Sequence, residues 1–369
     1  MNILVTGSKG FIGKNLIEKL NREENLVVYR FDADNTLNEL ENYIDKIDFI
    51  FHLAGVNKPK KEEEFLIINS KLTEDIINII ENKKKKIPIL FSSSIQAKKD
   101  NAYGKSKLTA EKILKDYAIR NNAPIFIYQL PNVFGKWCKP NYNSVVATFC
   151  YNISREKPIK INDENVKLNL VHISNVIESF FSKLNNINYS DNFHFEVKKS
   201  YNTNLKELAS LLYSFKESRK NLIMPKVNNE FIKILYSTYL SYLPKNNFSY
   251  DLNSHIDNRG SFSELFKMNN GGQFSVSTSK KGVLRGNHYH NIKTEKFIVI
   301  KGNAIARLRR IDSKEVIEYN LSDEKLVILD IPPGFTHNIE NIGESEMTLL
   351  IWANELFDKD NPDTYIMEI

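Results

Sequence analysis

Two different patterns of apolar and polar residues divide the chain. Up to about residue 245, apolar runs of strand length alternate with longer segments whose apolar residues recur at helical spacing. Strands that alternate with helices in this way predict a parallel sheet covered by helices on both faces. The apolar runs cover residues 1–6, 26–31, 48–57 and 87–94, and the clearest helical segments are Glu63 to Glu81 and Ala102 to Ile119.

The last third of the chain has a β-type pattern. Helical patterning stops within residues 236–250, YSTYLSYLPKNNFSY, where Pro244 and an Asn-Asn pair interrupt it. From Asn253 onwards, short strand-like runs are separated by Gly, Asn, Asp and Pro, which is typical of a jelly-roll barrel. The sequence therefore predicts an α/β Rossmann-type doubly wound parallel sheet over residues 1–245 and an all-β jelly-roll domain over residues 246–369.

The N-terminal segment has the glycine spacing of a dinucleotide-binding turn. Gly7, Gly10 and Gly13 stand between the first apolar run and the first helical segment. Glycine permits a tight turn and a close backbone approach, and the free N–H groups of a helix N-terminus receive a pyrophosphate. After the second run, Asp32 is typical of NAD binding to the ribose hydroxyls, whereas Arg30 would pair with the extra phosphate of NADP. The residues leave both cofactors open.

A candidate proton-transfer group lies in the segment from Ser92 to Lys107, SSSIQAKKDNAYGKSK. Tyr103 and Lys107 are one helical turn apart and face the same side of a helix, and Ser94 ends an apolar run. We expect the lysine charge to lower the pKa of the tyrosine and the serine to hydrogen-bond the reacting oxygen. A solvated helix face is the alternative interpretation of this spacing.

A second candidate site lies in the β-type region. His288 and His290 alternate by two along a strand and so face one side, Glu295 returns to that side, and His337 comes from a distant hairpin. Three imidazoles and one carboxylate that converge inside a barrel predict a divalent-metal site.

Composition adds expectations about partners and location. At 369 residues, with 41% apolar and 26% charged residues, the chain is typical of a soluble protein with more than one core. Its net charge of +6 suits an anionic small substrate, and the run Lys83 to Lys86 has no interleaved aromatic residues, so we expect no nucleic-acid binding. With two cysteines, no signal-peptide pattern and no long apolar span, we expect a cytoplasmic protein without membrane insertion.

Residues 1 to about 245 resemble the extended short-chain dehydrogenases/reductases of the nucleotide-sugar branch. The matching features are the three glycines, HLAG at 52–55, SSS at 92–94, the Tyr-x-x-x-Lys pair, and PNVFG at 131–135. The resemblance implies that Ser94, Tyr103 and Lys107 are catalytic. The chain departs from the family pattern at Gln129 and Ser174, where arginine and aspartate are common. The implied cofactor-binding residues are Gly7, Gly10, Phe11, Ile12, Gly13, Arg30, Asp32, Leu53, Ala54, Gly55, Tyr103 and Lys107.

The same resemblance identifies candidate substrate-binding residues. Asn132 matches the asparagine that contacts the substrate in that family, and Arg219 resembles a pyrophosphate-binding arginine. The polar segment 135–144, GKWCKPNYNS, is predicted as a loop over the sheet. Its Trp137 and Lys139 are candidates for gripping a nucleotide sugar through stacking and phosphate contacts. An ordinary surface loop and a surface arginine are the alternatives.

The histidine set resembles the cupin signature and, more narrowly, the deoxysugar 3,5-epimerases of the rhamnose pathway. The segments that carry these resemblances are 282–302, 332–341 and DNRGSFSEL at 257–265. They imply that His288 is a catalytic base and that Arg259 and Arg285 hold substrate. Those epimerases use no metal and commonly carry glutamine at the position of His290. This departure favours a metal here, held by His288, His290, Glu295 and His337, and makes His288 either base or ligand.

The whole chain, including GKWCKPNYNS and the terminal NPDTY, resembles a family of capsular-polysaccharide enzymes in which a reductase of this type is fused to a metallocupin. The resemblance implies a UDP-4-keto-6-deoxy-N-acetylhexosamine as substrate, NADPH in the reductase with NADH not excluded, and zinc in the cupin. It also implies a homodimer that works in the synthesis of UDP-N-acetyl-L-fucosamine for capsule or O-antigen.

The two sites suggest an order of reaction. A ketone at C4 acidifies the hydrogen at C3, so a base can invert C3 through an enolate before the ketone is reduced. Two alternatives remain open. In one, the cupin is a non-catalytic metal-bound dimerisation module; in the other, the reductase half is a 4-epimerase or dehydratase that recycles a tightly held cofactor.

Overall fold

The structure, a computed structural model of the chain, describes residues 1–57 and 65–369. The beginning of the helix predicted over Glu63 to Glu81 lies outside the described residues. Its described part starts with a π-helical segment, Leu66–Lys71, and continues as a regular α-helix. Within the described ranges, none of the helices has both the length and the apolar character needed to cross a bilayer.

The described residues form two compact units. The first unit contains Met1–Tyr213 and Asn228–Pro244, and the second contains Ser214–Val227 and Lys245–Ile369. The short segment 214–227 belongs to the second unit, where Ile223 forms a β-bridge with Lys267. The boundary between residues 245 and 246 stays a prediction.

The first unit is built on a parallel sheet. In the described chain this sheet has six strands in the order β2-β1-β3-β4-β5-β8, all paired in parallel, and β6-β7-β9 form a smaller mixed sheet. The strands are β1 (Asn2–Thr6), β2 (Val27–Phe31), β3 (Phe49–His52), β4 (Ile89–Ser94), β5 (Ile125–Leu130), β6 (Asn132–Phe134), β7 (Lys167–His172), β8 (His194–Phe195) and β9 (Tyr201–Asn204).

Helices cover both faces of the parallel sheet. The α-helices of the described residues are α1 (Phe11–Leu20), α2 (Leu37–Ile44), α3 (Leu72–Asn82), α4 (Ala102–Asn121), α5 (Val145–Ile153), α6 (Ile173–Phe181), α7 (Leu205–Asn221) and α8 (Glu230–Leu240). Helices α2, α3 and α4 pack on one face and α1 and α6 on the other, and each face has its own apolar core. Because β1 and β4 are buried between these two layers, their apolar residues stand in a row, Ile3 to Val5 and Ile89 to Phe91, rather than alternating with polar ones.

The order of the strands locates the crevice in which a ligand would bind. β1 lies between β2 and β3, so the chain leaves β1 in one direction through α1 and returns to its other side through α2. The carboxyl ends of β1 and β3 are therefore at a topological switch point, where open α/β sheets bind their ligands.

The second unit is all-β apart from its helical segment. Two antiparallel sheets face each other, in the orders β10-β11-β12-β19-β14-β17 and β16-β15-β18-β13-β20, around a core of residues such as Val299, Ala306 and Ile339. The strands are β10 (Ser254–Asp257), β11 (Gly260–Met268), β12 (Gly272–Ser279), β13 (Leu284–Tyr289), β14 (Glu295–Lys301), β15 (Asn303–Arg310), β16 (Val316–Ser322), β17 (Leu329–Ile331), β18 (Phe335–Asn341), β19 (Met347–Ala353) and β20 (Tyr365–Ile366). The predicted fold, a Rossmann-type α/β sheet followed by an all-β jelly-roll domain, is confirmed.

Candidate active site and candidate metal centre

The glycine turn after β1 is shaped for close backbone approach. Gly7 has a φ of +66°, and a side chain there would collide with the backbone of Ala54 at the end of β3. A Cβ at Gly13 would overlap the carbonyl oxygen of Gly7, so the turn and α1 pack directly on each other. In the described chain, neither a side-chain cap nor an acidic residue occupies the first turn of α1. Its N–H groups are thus available to an anion such as a pyrophosphate.

Asp32 follows β2 and is tied to this turn. Its carboxylate accepts hydrogen bonds from the backbone N–H of Lys9 at 2.7 Å and from the hydroxyl of Ser8 at 3.5 Å. The ammonium of Lys9 forms an ion pair with Asp34 at 2.6 Å, and Arg30 is exposed. Two acidic side chains, Asp32 and Asp34, and two basic ones, Lys9 and Arg30, therefore lie at the end of β2, just after it or in the glycine turn, and the choice between NAD and NADP stays open.

A cavity of about 1140 Å³ opens at the carboxyl ends of the strands in the first unit. It brings together most of the predicted cofactor, catalytic and substrate residues of this unit. Arg30, Asp32 and Ala54 are not among the described residues that line it. The predicted residues in its wall are Gly7, Gly10, Phe11, Ile12, Gly13, Leu53, Gly55, Ser94, Tyr103, Lys107, Asn132, Trp137 and Lys139.

Tyr103 and Lys107 are presented to this cavity by the first turns of α4. The side chain of Asn101 caps the helix by accepting the N–H of Gly104 at 2.8 Å, which fixes where the helix begins. Lys107 is buried, and its ammonium donates a hydrogen bond of 3.0 Å to the carbonyl oxygen of Ser92 in β4. Burial lowers the pKa of Lys107 to about 8.

The prediction that Lys107 lowers the pKa of Tyr103 is wrong. Burial raises the pKa of the Tyr103 phenol above its ordinary value, and a hydrogen bond with Ser94 offsets only part of that increase. The phenol is therefore fully protonated at neutral pH. A protonated phenol in a cavity can donate a proton to a substrate oxygen, which is the role that a reduction requires.

A buried carboxylate behind the catalytic segment was not predicted from the sequence. Glu111, only 1% exposed, accepts hydrogen bonds from Ser93 at 2.5 Å and from the Gln129 amide at 3.0 and 3.2 Å. His194 lies 3.8 Å from the same carboxylate. Glu111 stands four residues after Lys107 on α4. This spacing puts the two residues on the same face of the helix, which is a signal that the sequence contains. Gln129, one of the two departures from the family pattern, is one of its partners.

Arg155 is a second residue that the sequence analysis missed. It lines the cavity, stacks on Tyr151 with 3.8 Å to the ring centroid, and donates to the carbonyl oxygen of Tyr242 at 2.7 Å. By contrast, Arg219 lies in the second unit, where it donates to the carbonyl oxygens of Asn247 and Ser249. The pyrophosphate role of Arg219 stays a prediction.

In the second unit, the structure brings the four predicted metal ligands together. One ligand atom from each of His288, His290, Glu295 and His337 lies within 4.8 Å of the others. A bulge in β13 produces this arrangement: the register shifts between Gly286 and His288, so that His288 lies directly opposite His337 of β18. The extra residue is Asn287, with a φ of +59°.

The electrostatics of this cluster fit a divalent cation. The Nε2 atoms of His290 and His337 are buried, and within the described residues neither has a hydrogen-bond partner. They lie 3.5 and 3.3 Å from Oε2 of Glu295. Although burial alone would raise the pKa of Glu295, attraction by the two imidazoles outweighs it and holds the pKa well below its usual range. Burial is the main cause that lowers the pKa of His288 to about 4, and the charge of His337 is the second. Unprotonated imidazoles and a carboxylate are ligands for zinc.

The two arginines predicted to bind substrate in this unit are held differently. Arg259 is exposed and forms an ion pair with Asp257, whose pKa falls to about 2 mainly through its hydrogen bonds with this arginine. Arg285 donates to the Ser279 hydroxyl at 3.0 Å and to the Thr278 carbonyl oxygen at 3.1 Å. Burial, followed by the charge of Arg259, lowers the pKa of Arg285, so the two guanidiniums act on each other.

Comparison with known proteins gives matches to both parts of the chain. Residues 3–197 match the NAD dependent epimerase/dehydratase family, and residues 255–365 match the polysaccharide biosynthesis C-terminal domain. A UDP-2-acetamido-2,6-beta-L-arabino-hexul-4-ose reductase from Pseudomonas aeruginosa is 45% identical over 100% of this chain and 99% of its own length.

Solved structures match in the same way. The crystal structure of the capsular polysaccharide assembling protein CapF from Staphylococcus aureus is 45% identical, with a TM-score of 0.93 and 100% of both chains covered. UDP-glucuronic acid 4-epimerase from Bacillus cereus, in complex with NAD, is 17% identical with a TM-score of 0.53, over 58% of this chain and 84% of its own, which shows a shared fold. The chain therefore belongs to the NAD dependent epimerase/dehydratase family and, over its full length, to the family of the capsular polysaccharide assembling protein CapF.

Proposed function

We propose that the protein is a bifunctional UDP-sugar enzyme. Its cupin unit epimerises C3 of a UDP-2-acetamido-2,6-dideoxy-hexos-4-ulose, and its first unit reduces the C4 ketone with NADPH. The observation that carries the reductase part is that Tyr103, Ser94 and Lys107 line the same cavity as the glycine turn. The name of the Pseudomonas aeruginosa relative, a UDP-hexul-4-ose reductase, supports the same chemistry.

In the reductase step, the residues of this chain bind, orient and protonate. Bound NADPH supplies a hydride to C4 of the sugar. Tyr103 donates its phenolic proton to the developing C4 oxygen, and Ser94 orients that oxygen by a hydrogen bond. Lys107 is proposed to hold the nicotinamide ribose, to whose hydroxyls its ammonium can donate hydrogen bonds. Asn132, Trp137 and Lys139 are proposed to bind the nucleotide sugar.

In the epimerase step, a base removes the hydrogen at C3 as a proton, and a proton returned to the opposite face of the resulting enolate inverts C3. The C4 ketone makes this hydrogen acidic, because the negative charge of the enolate spreads onto the ketone oxygen. His288 is the proposed base or metal ligand, since its lowered pKa keeps the imidazole uncharged at neutral pH. A divalent metal held by His288, His290, Glu295 and His337, proposed as zinc, would stabilise negative charge on the substrate. Arg259 and Arg285 would hold the anionic nucleotide.

The proposed order is epimerisation before reduction. Once C4 is reduced to an alcohol, it no longer acidifies the hydrogen at C3, so reduction first would end the epimerase chemistry. The product is then UDP-2-acetamido-2,6-dideoxy-L-talose, in the synthesis of UDP-N-acetyl-L-fucosamine for capsule or O-antigen. We also propose that the protein is cytoplasmic and works as a homodimer.

The reductase assignment is tested by the stoichiometry of cofactor use. The purified protein, given the UDP-4-keto sugar and excess NADPH, is expected to oxidise one NADPH for each sugar reduced. Tyr103→Phe should reduce this rate by about three orders of magnitude or more, because the proton donor is lost. Tyr213→Phe, at an exposed tyrosine, is the matched control and should leave it unchanged. A sugar product formed without net NADPH oxidation would instead show a 4-epimerase or dehydratase that recycles its cofactor.

A further inference from the structure

The C-terminal segment of residues 361–366 packs against the metal ligands of the cupin unit, and we name it the C-terminal strap. Its last two residues form β20, which pairs with β13 so that Ile366 lies opposite His288 and Tyr365 opposite Tyr289. The strap is therefore hydrogen-bonded to the strand that carries the first metal ligand. Its contacts with the next ligand, His290, are more specific.

Asp363 contacts His290 through its main chain. The carbonyl oxygen of Asp363 lies 2.6 Å from Nδ1 of His290. A carbonyl oxygen accepts hydrogen bonds and cannot donate them, so Nδ1 must carry the proton. In a neutral imidazole, the lone pair is then on Nε2. That atom is buried, points towards Glu295 and His337, and has no hydrogen-bond partner within the described residues.

The side chain of Asp363 holds the turn that follows His290. Its carboxylate accepts three backbone N–H groups: that of Asn291 at 3.1 Å, and those of Ile292 and Lys293 at 2.8 Å each. One residue therefore fixes both the ring of the ligand and the backbone that follows it. The backbone of Asp363 has a φ of +42°, a left-handed conformation that is unfavourable for most residues with a Cβ. These four hydrogen bonds stabilise that conformation.

Lys293, which lies in the turn after His290, in return donates hydrogen bonds to the strap. Its side chain is 8% exposed, and its ammonium donates to the carbonyl oxygen of Pro362 at 2.7 Å and to the hydroxyl of Thr364 at 3.0 Å. Thus a side chain of the turn after His290 binds both neighbours of Asp363, while the carboxylate of Asp363 binds the backbone of that turn. Such reciprocal bonding leaves the Asp363 carbonyl little freedom to move away from the imidazole.

We propose that Asp363 is a positioning residue of the metal site, which fixes the tautomer and the ring orientation of His290 so that Nε2 faces the metal. The inference rests on the metal binding that forms part of the proposed function. Outer partners of this kind orient metal-bound histidines and make them better ligands, and their loss typically weakens metal binding by about 10–100-fold.

The test compares zinc binding by the full-length protein and three variants. Asp363→Gly removes the carboxylate and tolerates the positive φ, whereas Asp363→Asn keeps one oxygen acceptor in nearly the same place. Asp360→Gly, at an exposed aspartate immediately before the strap, is the control for altered chain flexibility. Zinc affinity is measured by competition with a chromogenic chelator, and the visible absorption spectrum of the cobalt-substituted protein reports the ligand geometry.

We expect Asp363→Gly to weaken zinc binding by at least about 10-fold and to change the cobalt spectrum. Asp363→Asn should recover part of the loss, and Asp360→Gly should match the unaltered protein. If Asp363→Gly unfolds the cupin unit, Asp363→Asn decides alone, with an expected loss of about 3-fold or more. Zinc affinity within 2-fold of the unaltered protein in the folded variants would overturn the proposal.

The outcome separates this inference from the proposed epimerase activity. If the unaltered protein binds zinc but does not exchange the hydrogen at C3, the epimerase assignment fails, whereas the role of Asp363 in zinc binding is supported or overturned by the affinities alone.

Discussion

The ammonium of Lys107 donates a 3.0 Å hydrogen bond to the carbonyl oxygen of Ser92. This bond connects α4 to β4 in the wall of the cavity, and its acceptor Ser92 stands two residues before Ser94. The lysine ammonium lies close to Gly55, which follows β3 and leaves room for it because it has no side chain. A Cβ added at Gly55 would lie 2.9 Å from Nζ of Lys107 and 2.9 Å from Oδ1 of Asn69.

We therefore predict that Gly55→Ala lowers the rate of NADPH oxidation by about 100-fold, because the lysine ammonium must move by a large fraction of an ångström or more. Both colliding atoms are ends of side chains, so we expect the free energy of unfolding to fall by no more than about 1–3 kcal/mol. Steady-state kinetics and urea unfolding measure the two effects. Gly271→Ala, in the second unit, is the control for an added methyl group. Unchanged kinetics in Gly55→Ala would contradict the proposed role of Lys107.

A second prediction concerns stability in acid. His52 is buried at the end of β3, with Nδ1 2.7 Å from the hydroxyl of Thr6 and Nε2 2.9 Å from that of Thr73. Burial, followed by the charge of Lys107, lowers its pKa to about 3. Between pH 6.5 and 3, the unfolded chain binds a proton at this residue that the folded chain does not. Stability that is present above pH 6.5 is therefore lost as the pH falls through this range.

We expect His52→Gln to be less stable than the unaltered protein at pH 7, because the variant loses the contacts of the imidazole with the hydroxyls of Thr6 and Thr73. The difference between the two should shrink by on the order of 3 kcal/mol on going from pH 7 to pH 4, since the variant has no imidazole to protonate. Urea unfolding followed by helical circular dichroism reports the first unit. A difference that is constant with pH would contradict this account.

A third prediction compares a histidine of the metal cluster with an exposed histidine outside it. His337 is 1% exposed within the cluster, whereas His255 lies exposed on β10. His337→Asn removes one of four ligands, so we expect zinc content after dialysis to fall from about one ion per chain to well below half. His255→Asn should retain full zinc. Elemental analysis measures both, and full zinc in His337→Asn would show that this cluster is not the metal site.

Local signals in the sequence predicted part of these sites, because they depend on residues close together in the chain. The spacing of Gly7, Gly10 and Gly13 follows from the geometry of one turn. Tyr103 and Lys107 share a face because a helix repeats about every 3.6 residues. The alternation of strands and helices was sufficient for the fold class.

Contacts between distant parts of the chain could not be predicted in this way. Asp363 reaches His290 across 73 residues, and the bulge at Asn287 is defined only by pairing with β18. The pKa of Tyr103 depends on how deeply the phenol is buried, which the spacing to Lys107 does not specify. The prediction for Arg219 depends on a local match, whereas its hydrogen-bond partners, Asn247 and Ser249, lie 28 and 30 residues away in the chain.

The central claim is that one chain acts first at C3 and then at C4 of the same sugar. It is tested by incubating the zinc-loaded protein with the UDP-4-keto sugar in D2O and following C3 and C4 by NMR, first without NADPH and then after its addition. We predict that deuterium enters C3 while NADPH is absent and that C4 is reduced only after it is added. Tyr103→Phe should retain the exchange and lose the reduction. Absence of deuterium at C3, with zinc fully bound, would contradict the account and leave the cupin unit as a non-catalytic module.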